Sequence, residues 1–124
     1  MRAAIGIMVA GAFGALARYG VDGFVSRRLS TAFPWGTFVV NITGAFLLGL
    51  VFTLFTERLT VAPWMRSTVM IGFFGAYTTF STLSLETFRL LEDGAYAGAI
   101  ANGLGSLAAG LVAVYLGVVI GRAV

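Results

Sequence analysis

The stretch Gly72-Phe73-Phe74-Gly75-Ala76-Tyr77-Thr78-Thr79-Phe80-Ser81-Thr82 carries the densest polar signal of an otherwise apolar chain. Two glycines precede four hydroxyl residues, Thr78, Thr79, Ser81 and Thr82. Glycine frees the backbone, and short hydroxyl side chains compete for backbone hydrogen bonds. This composition predicts a helix broken near its middle, with orphan carbonyls that could hold a cation and a following half-helix whose positive end could attract an anion. The alternative is a continuous helix whose hydroxyls bond back one turn. A second signal lies upstream, where Thr37, Asn41, Gly44 and Leu48 share one helical face. Asn41 offers two N–H donors and is costly to bury unpaired. It either lines an anion or substrate path or makes an interhelical hydrogen bond.

The elements that must position these residues follow from composition. The chain has 124 residues, 59% of them hydrophobic, with 8 basic and 5 acidic side chains and no Cys, His or Lys. Its mean hydropathy is +0.96. Disulfides, thiolate nucleophiles, the usual zinc sites and Ser-His-Asp arrangements are excluded, as is a P-loop. Charges bracket four long apolar stretches, and a helix needs roughly 20 residues to cross a hydrocarbon core. The expected architecture is a single all-α integral membrane domain over 1–124, with spans near 3–26, 34–56, 67–86 and 94–121. Arg2 before an apolar run resembles a signal peptide, but the length of the segment and its embedded Arg18 argue against one. Stripes of small and polar residues, Ala10-Gly14-Arg18-Asp22 and Gly98-Asn102-Ser106-Gly110, read as helix-packing faces. An i, i+4 ion pair with Arg18 is the simplest account of Asp22.

Four spans place both termini and the second connection on one side, with Arg2, Arg58, Arg66 and Arg122. The other side carries Arg27, Arg28 and Arg89, with Arg18 in or near the membrane. This balance favours neither orientation. Insertion both ways and antiparallel pairing is the expectation, against a single orientation set by other factors. A four-helix bundle fills its own centre with side chains, so an ion path calls for a dimer. The net charge of +3 is scattered at membrane edges, which suits interfacial anchoring and excludes a nucleic-acid surface.

Gly14-Ala15-Leu16-Ala17-Arg18-Tyr19, Gly36-Thr37-Phe38-Val39-Val40-Asn41-Ile42-Thr43-Gly44 and Gly75-Ala76-Tyr77-Thr78-Thr79-Phe80-Ser81-Thr82 together resemble the Fluc (CrcB-type) fluoride channels in order and spacing over the whole chain. The resemblance implies an antiparallel dual-topology homodimer in a bacterial or archaeal cell membrane, with two fluoride pores and a structural Na+ at the dimer interface. It places the pore asparagine on Asn41 and the first pore phenylalanine on Phe80. Thr37, Ser81 and Thr82 fall at polar positions beside the pores. The sodium ligands fall on the backbone carbonyls of Gly75 and Thr78. Arg18 and Glu86 match charged positions near the pore mouth and the end of the third span.

The implied function is passive export of cytoplasmic fluoride, without enzymatic activity. One departure stands out: Leu83 occupies the place of a second pore phenylalanine. It implies slower passage or work beside a related subunit in a heterodimer. The rival readings are a small multidrug-resistance-type proton-coupled exporter and a non-conducting partner subunit. The exporter needs a carboxylate deep in the first span, where the first acid is Asp22, near its end.

Overall fold

The computed structural model describes residues 1–124 and is entirely helical. Helix α1 spans Arg2–Arg28 and α2 spans Trp35–Thr53, running on into a π-helical turn at Leu54–Arg58. The third crossing is assembled from α3 (Pro63–Ser67), a π-helical stretch Thr68–Phe74, α4 (Gly75–Tyr77) and α5 (Phe80–Glu92). Helix α6 covers Tyr96–Ala123. These form four units long and apolar enough to cross a membrane: Arg2–Arg28, Trp35–Arg58, Pro63–Glu92 and Tyr96–Ala123.

Local chemistry sets several of the ends. Pro63 opens α3 at a position where its missing N–H is no loss. Gly94 has φ +75 and ends α5, with Gly94 N–H bonded to the Leu91 carbonyl and Ala95 N–H to the Leu90 carbonyl. That left-handed turn favours glycine.

The broad α2–α6 interface depends on side chains that are missing. A Cβ on Gly117 would run into the Phe46 carbonyl, and one on Gly121 would meet Thr53. Gly49 lies against the backbone of Val114 in the same way. At the end of this seam Arg122 pairs with Glu57 at 3.0 Å, and Arg58 donates to the Arg122 carbonyl. The ends of α2 and α6 therefore share one side.

The third crossing changes neighbours at its interruption. Its first half packs on α1, with Gly14 beneath the Phe73 carbonyl and Gly72 against Ile7 and Ala10. Its second half packs on α6.

Two packing expectations are corrected. On α6, Asn102 and Ser106 of the expected stripe are buried, but Gly110 has open space where a Cβ would stand and Gly98 meets only Leu90 and Ala95 at 3.8 Å or more. The tight glycine seam lies instead at Gly117 and Gly121, on the face turned towards α2. Nor do Arg18 and Asp22 pair: Asp22 accepts the Ser26 hydroxyl at 3.1 Å and lies over Gly36, whose lack of a side chain gives the carboxylate room.

The chain exposes 7618 Å² and buries only 17 residues. A self-contained globule of 13.0 kDa would expose about 6,300 Å². The excess lies in apolar side chains such as Leu104, Leu107, Leu111 and Tyr115, which is how a membrane protein meets its solvent.

Candidate functional site

The interruption of the third crossing occupies two residues. Thr78 (φ −83, ψ 157) and Thr79 (φ −149, ψ 118) are both extended between helical neighbours. Extended backbone inside a membrane-length helix strands polar groups that lipid cannot satisfy, and each has to find a partner. Thr79 finds most of them.

Its N–H donates to Asn41 Oδ1 at 2.8 Å, and its carbonyl accepts from Asn41 Nδ2 at 3.0 Å. The reciprocal pair fixes the orientation of the carboxamide, because only one assignment of oxygen and nitrogen satisfies both bonds. The Thr79 hydroxyl then caps α5, accepting the Thr82 N–H at 3.2 Å and donating to Thr82 Oγ1 at 3.1 Å. Hydroxyl capping of this kind stabilises a helix start by about 1 kcal/mol.

Asn41 can reach the break because of Gly44, three residues on along the same face of α2. A Cβ on Gly44 would collide with the Thr78 methyl and press on Tyr77. The Tyr77 hydroxyl meets Thr43 Oγ1 at 2.9 Å, a further link between α2 and the break. Hydroxyls also bond back one turn here, as Thr78 does to the Phe74 carbonyl at 2.9 Å, yet the helix breaks all the same.

Two separate clefts share Thr79 on their walls. One, of about 360 Å³, lies between α1, α2 and the start of α5, with Arg18, Asp22, Thr37, Thr79 and Thr82 on its wall. The other, of about 430 Å³, lies between α2, the break and α6, and is lined by Asn41, Thr78, Phe80, Leu83 and Ser106 among others. Of the residues singled out from sequence, Arg18, Thr37 and Thr82 thus share the first cleft, and Asn41, Thr78, Phe80 and Leu83 share the second. Ser81 lies on the exposed side of α5 and Gly75 on the outer face before the break.

Phe80 is 82% exposed in the single chain. Glu86 accepts the Thr37 hydroxyl at 2.8 Å, and its second oxygen is buried without a partner.

Two residues that sequence reasoning left out of the site belong to it, Thr79 and Ser106, and a third, Asn102, is a buried polar group beside it on α6. Thr79 is its hub, and its signal was an N-cap threonine three residues before Thr82. Asn102, read as a packing residue, is fully buried and donates to Thr87 Oγ1 at 2.9 Å, leaving Oδ1 unpartnered. Ser106 is buried with an unpartnered hydroxyl on the wall of the second cleft. No cluster of His, Cys, Asp or Glu could hold a metal ion, so any cation here would rest on backbone and hydroxyl oxygens.

Residues 5–118 match the family described as CrcB-like protein, Camphor Resistance (CrcB). The chain is 47% identical over 116 residues to a protein of Magnetococcus marinus named fluoride-specific ion channel FluC, covering 94% of each chain. A protein of the same name from Citrifermentans bemidjiense is 47% identical over 117 residues, again 94% of each. Another from Geotalea uraniireducens is 46% identical over 123 residues, 99% of each. The relatives carry the name of a channel, not of an enzyme. The chain belongs to the CrcB family and is a multi-pass membrane protein.

Proposed function

We propose, from that membership, that this chain is a fluoride-selective channel that passively exports cytoplasmic fluoride. The observation that carries the reading is a broken helix with a cleft on either side, both walled by Thr79, one carrying the Asn41 carboxamide and the other Thr82 beside Arg18 and Asp22. A small, strongly hydrated anion gives up water only where other donors replace it. Asn41 keeps one amide N–H beyond its bond to Thr79. The Thr82 and Ser106 hydroxyls add donors on the two sides of the break, and the positive end of α5 lies between them. Phe80 contributes the electropositive edge of its ring. Arg18 at the first cleft draws anions in, while Thr37, Ser81 and Leu83 border the path.

The working unit in this reading is an antiparallel dual-topology homodimer, or a heterodimer with a related subunit, with two pores. The wide exposure of Phe80 on the wall of the second cleft supports a partner over this face. A structural Na+ at the dimer interface would rest on the Gly75 and Thr78 carbonyls of both subunits. Carbonyl oxygens suit a hard cation. HF enters cells as a neutral molecule and ionises; a potential of 100 mV, negative inside, then drives the anion outward by about 2.3 kcal/mol, about fifty-fold in concentration.

Fluoride efflux from liposomes holding the purified protein, read by a fluoride electrode with chloride as the control, tests the reading. Rapid fluoride loss without chloride loss is expected, with Asn41→Asp as the negative. Absence of flux from a folded dimer, or equal loss of both ions, overturns it.

A further inference from the structure

We infer that Asn41 and the Thr79 hydroxyl are positioning residues for the cation site, acting by withholding donors from its two carbonyls; this rests on the sodium site proposed above. In a continuous α-helix the Thr79 N–H bonds the Gly75 carbonyl, and the Thr82 N–H bonds the Thr78 carbonyl. Both donors are diverted here. The Thr79 N–H goes to Asn41 Oδ1 at 2.8 Å and the Thr82 N–H to Thr79 Oγ1 at 3.2 Å. Neither carbonyl receives a backbone bond from those residues. The two oxygens expected to face the cation are therefore the two whose helical donors have been taken by side chains.

The diversion depends on three positions. Gly44 lets α2 approach the break, Asn41 takes both backbone groups of Thr79, and Thr79 caps α5 in its turn. Asn41 faces the second cleft as well. One side chain thus borders the anion path while setting the cation's ligands, which couples the two sites through a single carboxamide. Removing it returns the Thr79 N–H to the Gly75 carbonyl, so that the cation must compete with a hydrogen bond it did not meet before.

The test is the sodium dependence of thermal unfolding, measured on the full-length protein in detergent micelles through Trp35 and Trp64 fluorescence. N-methylglucamine chloride holds ionic strength constant. The unmodified chain should be stabilised by sodium with a defined midpoint. Asn41→Leu and the isosteric Thr79→Val should each raise that midpoint by about tenfold, the worth of one backbone hydrogen bond set against the cation. Thr79→Ser, which keeps the hydroxyl, should restore the original midpoint. Unchanged midpoints in both variants overturn the inference while leaving the sodium site standing. No sodium effect on the unmodified chain removes the sodium site and the inference together, whatever the fluoride assay shows. Should Asn41→Leu fail to fold, Thr79→Val and Thr79→Ser carry the same comparison.

Discussion

Helix α2 meets the rest of the protein in two different ways along its length. From Phe46 to Thr53 it lies on α6 through glycines, and the closest approaches are to backbone atoms such as the Phe46 carbonyl. From Thr37 to Gly44 it meets the third crossing through hydrogen bonds, Thr37 to Glu86 and Asn41 to Thr79. The first contact works by absent side chains and leaves both helices' backbones intact. The second, admitted by the missing Cβ of Gly44, works by present ones and substitutes for a backbone that is broken. Close packing of continuous helices gives rigidity and no vacant polar groups, whereas the break concentrates donors and acceptors where an ion could use them. A frame and a site can thus be built on one helix by changing which of its positions are small.

Substitutions that exchange these roles should separate the two regions. The largest effect is expected from Gly117→Val, whose branched side chain has no space against the Phe46 carbonyl and Leu50. It should prevent recovery of a folded protein from membranes, judged by a monodisperse peak in size exclusion. A folded Gly117→Val protein would break the distinction, since the seam would then tolerate what the geometry forbids.

Asn41→Leu is expected to leave a folded protein but to cut fluoride efflux by at least about tenfold, because the path loses a donor, the Thr79 carbonyl loses a partner worth about 1–3 kcal/mol, and the Thr79 N–H turns back to the Gly75 carbonyl. The liposome assay reads it directly, and wild-type efflux from this variant would reassign the carboxamide to packing. Leu83→Phe adds an aromatic edge beside Phe80 in the second cleft. Efflux should rise a few-fold, on the order of 1 kcal/mol of favourable edge contact, and unchanged throughput would remove the argument that this edge limits passage.

The smallest effect should come from Glu57→Gln. Its partner Arg122 is largely in solvent or headgroup surroundings, and exposed ion pairs contribute little. Neither the unfolding temperature nor efflux should shift measurably. A large loss in either would mean that this pair, rather than the glycine seam, clamps α2 to α6.

Much of the fold is legible from the residues one after another. The positions of the charges divide the chain into four crossings because lipid excludes charge and a crossing has a fixed minimal length. The run of hydroxyls after Gly72 and Gly75 points to where the helix can break, since glycine and short hydroxyls weaken a helix locally, while Asn41 from α2 holds the break open. The third crossing nevertheless reaches from Pro63 to Glu92, beyond the 67–86 stretch that hydropathy outlines. Helical hydrogen bonding runs on through Arg66 and Glu86, which bound the third stretch in the sequence.

What sequence alone determined, then, is everything that depends on local composition: the membrane as solvent, the number of crossings, the absence of thiol and imidazole chemistry, and the place where the third helix fails. The tertiary structure decided how each helix is turned about its axis. That rotation sets Gly117 rather than Gly110 against a neighbour and lays Asp22 over Gly36 of α2. It also brings Asn41 to Thr79 across 38 positions of chain. Spacing within one helix shows which residues share a face, but the choice of facing helix comes from the fit of all four together. The partners of a polar side chain are settled only by that fit.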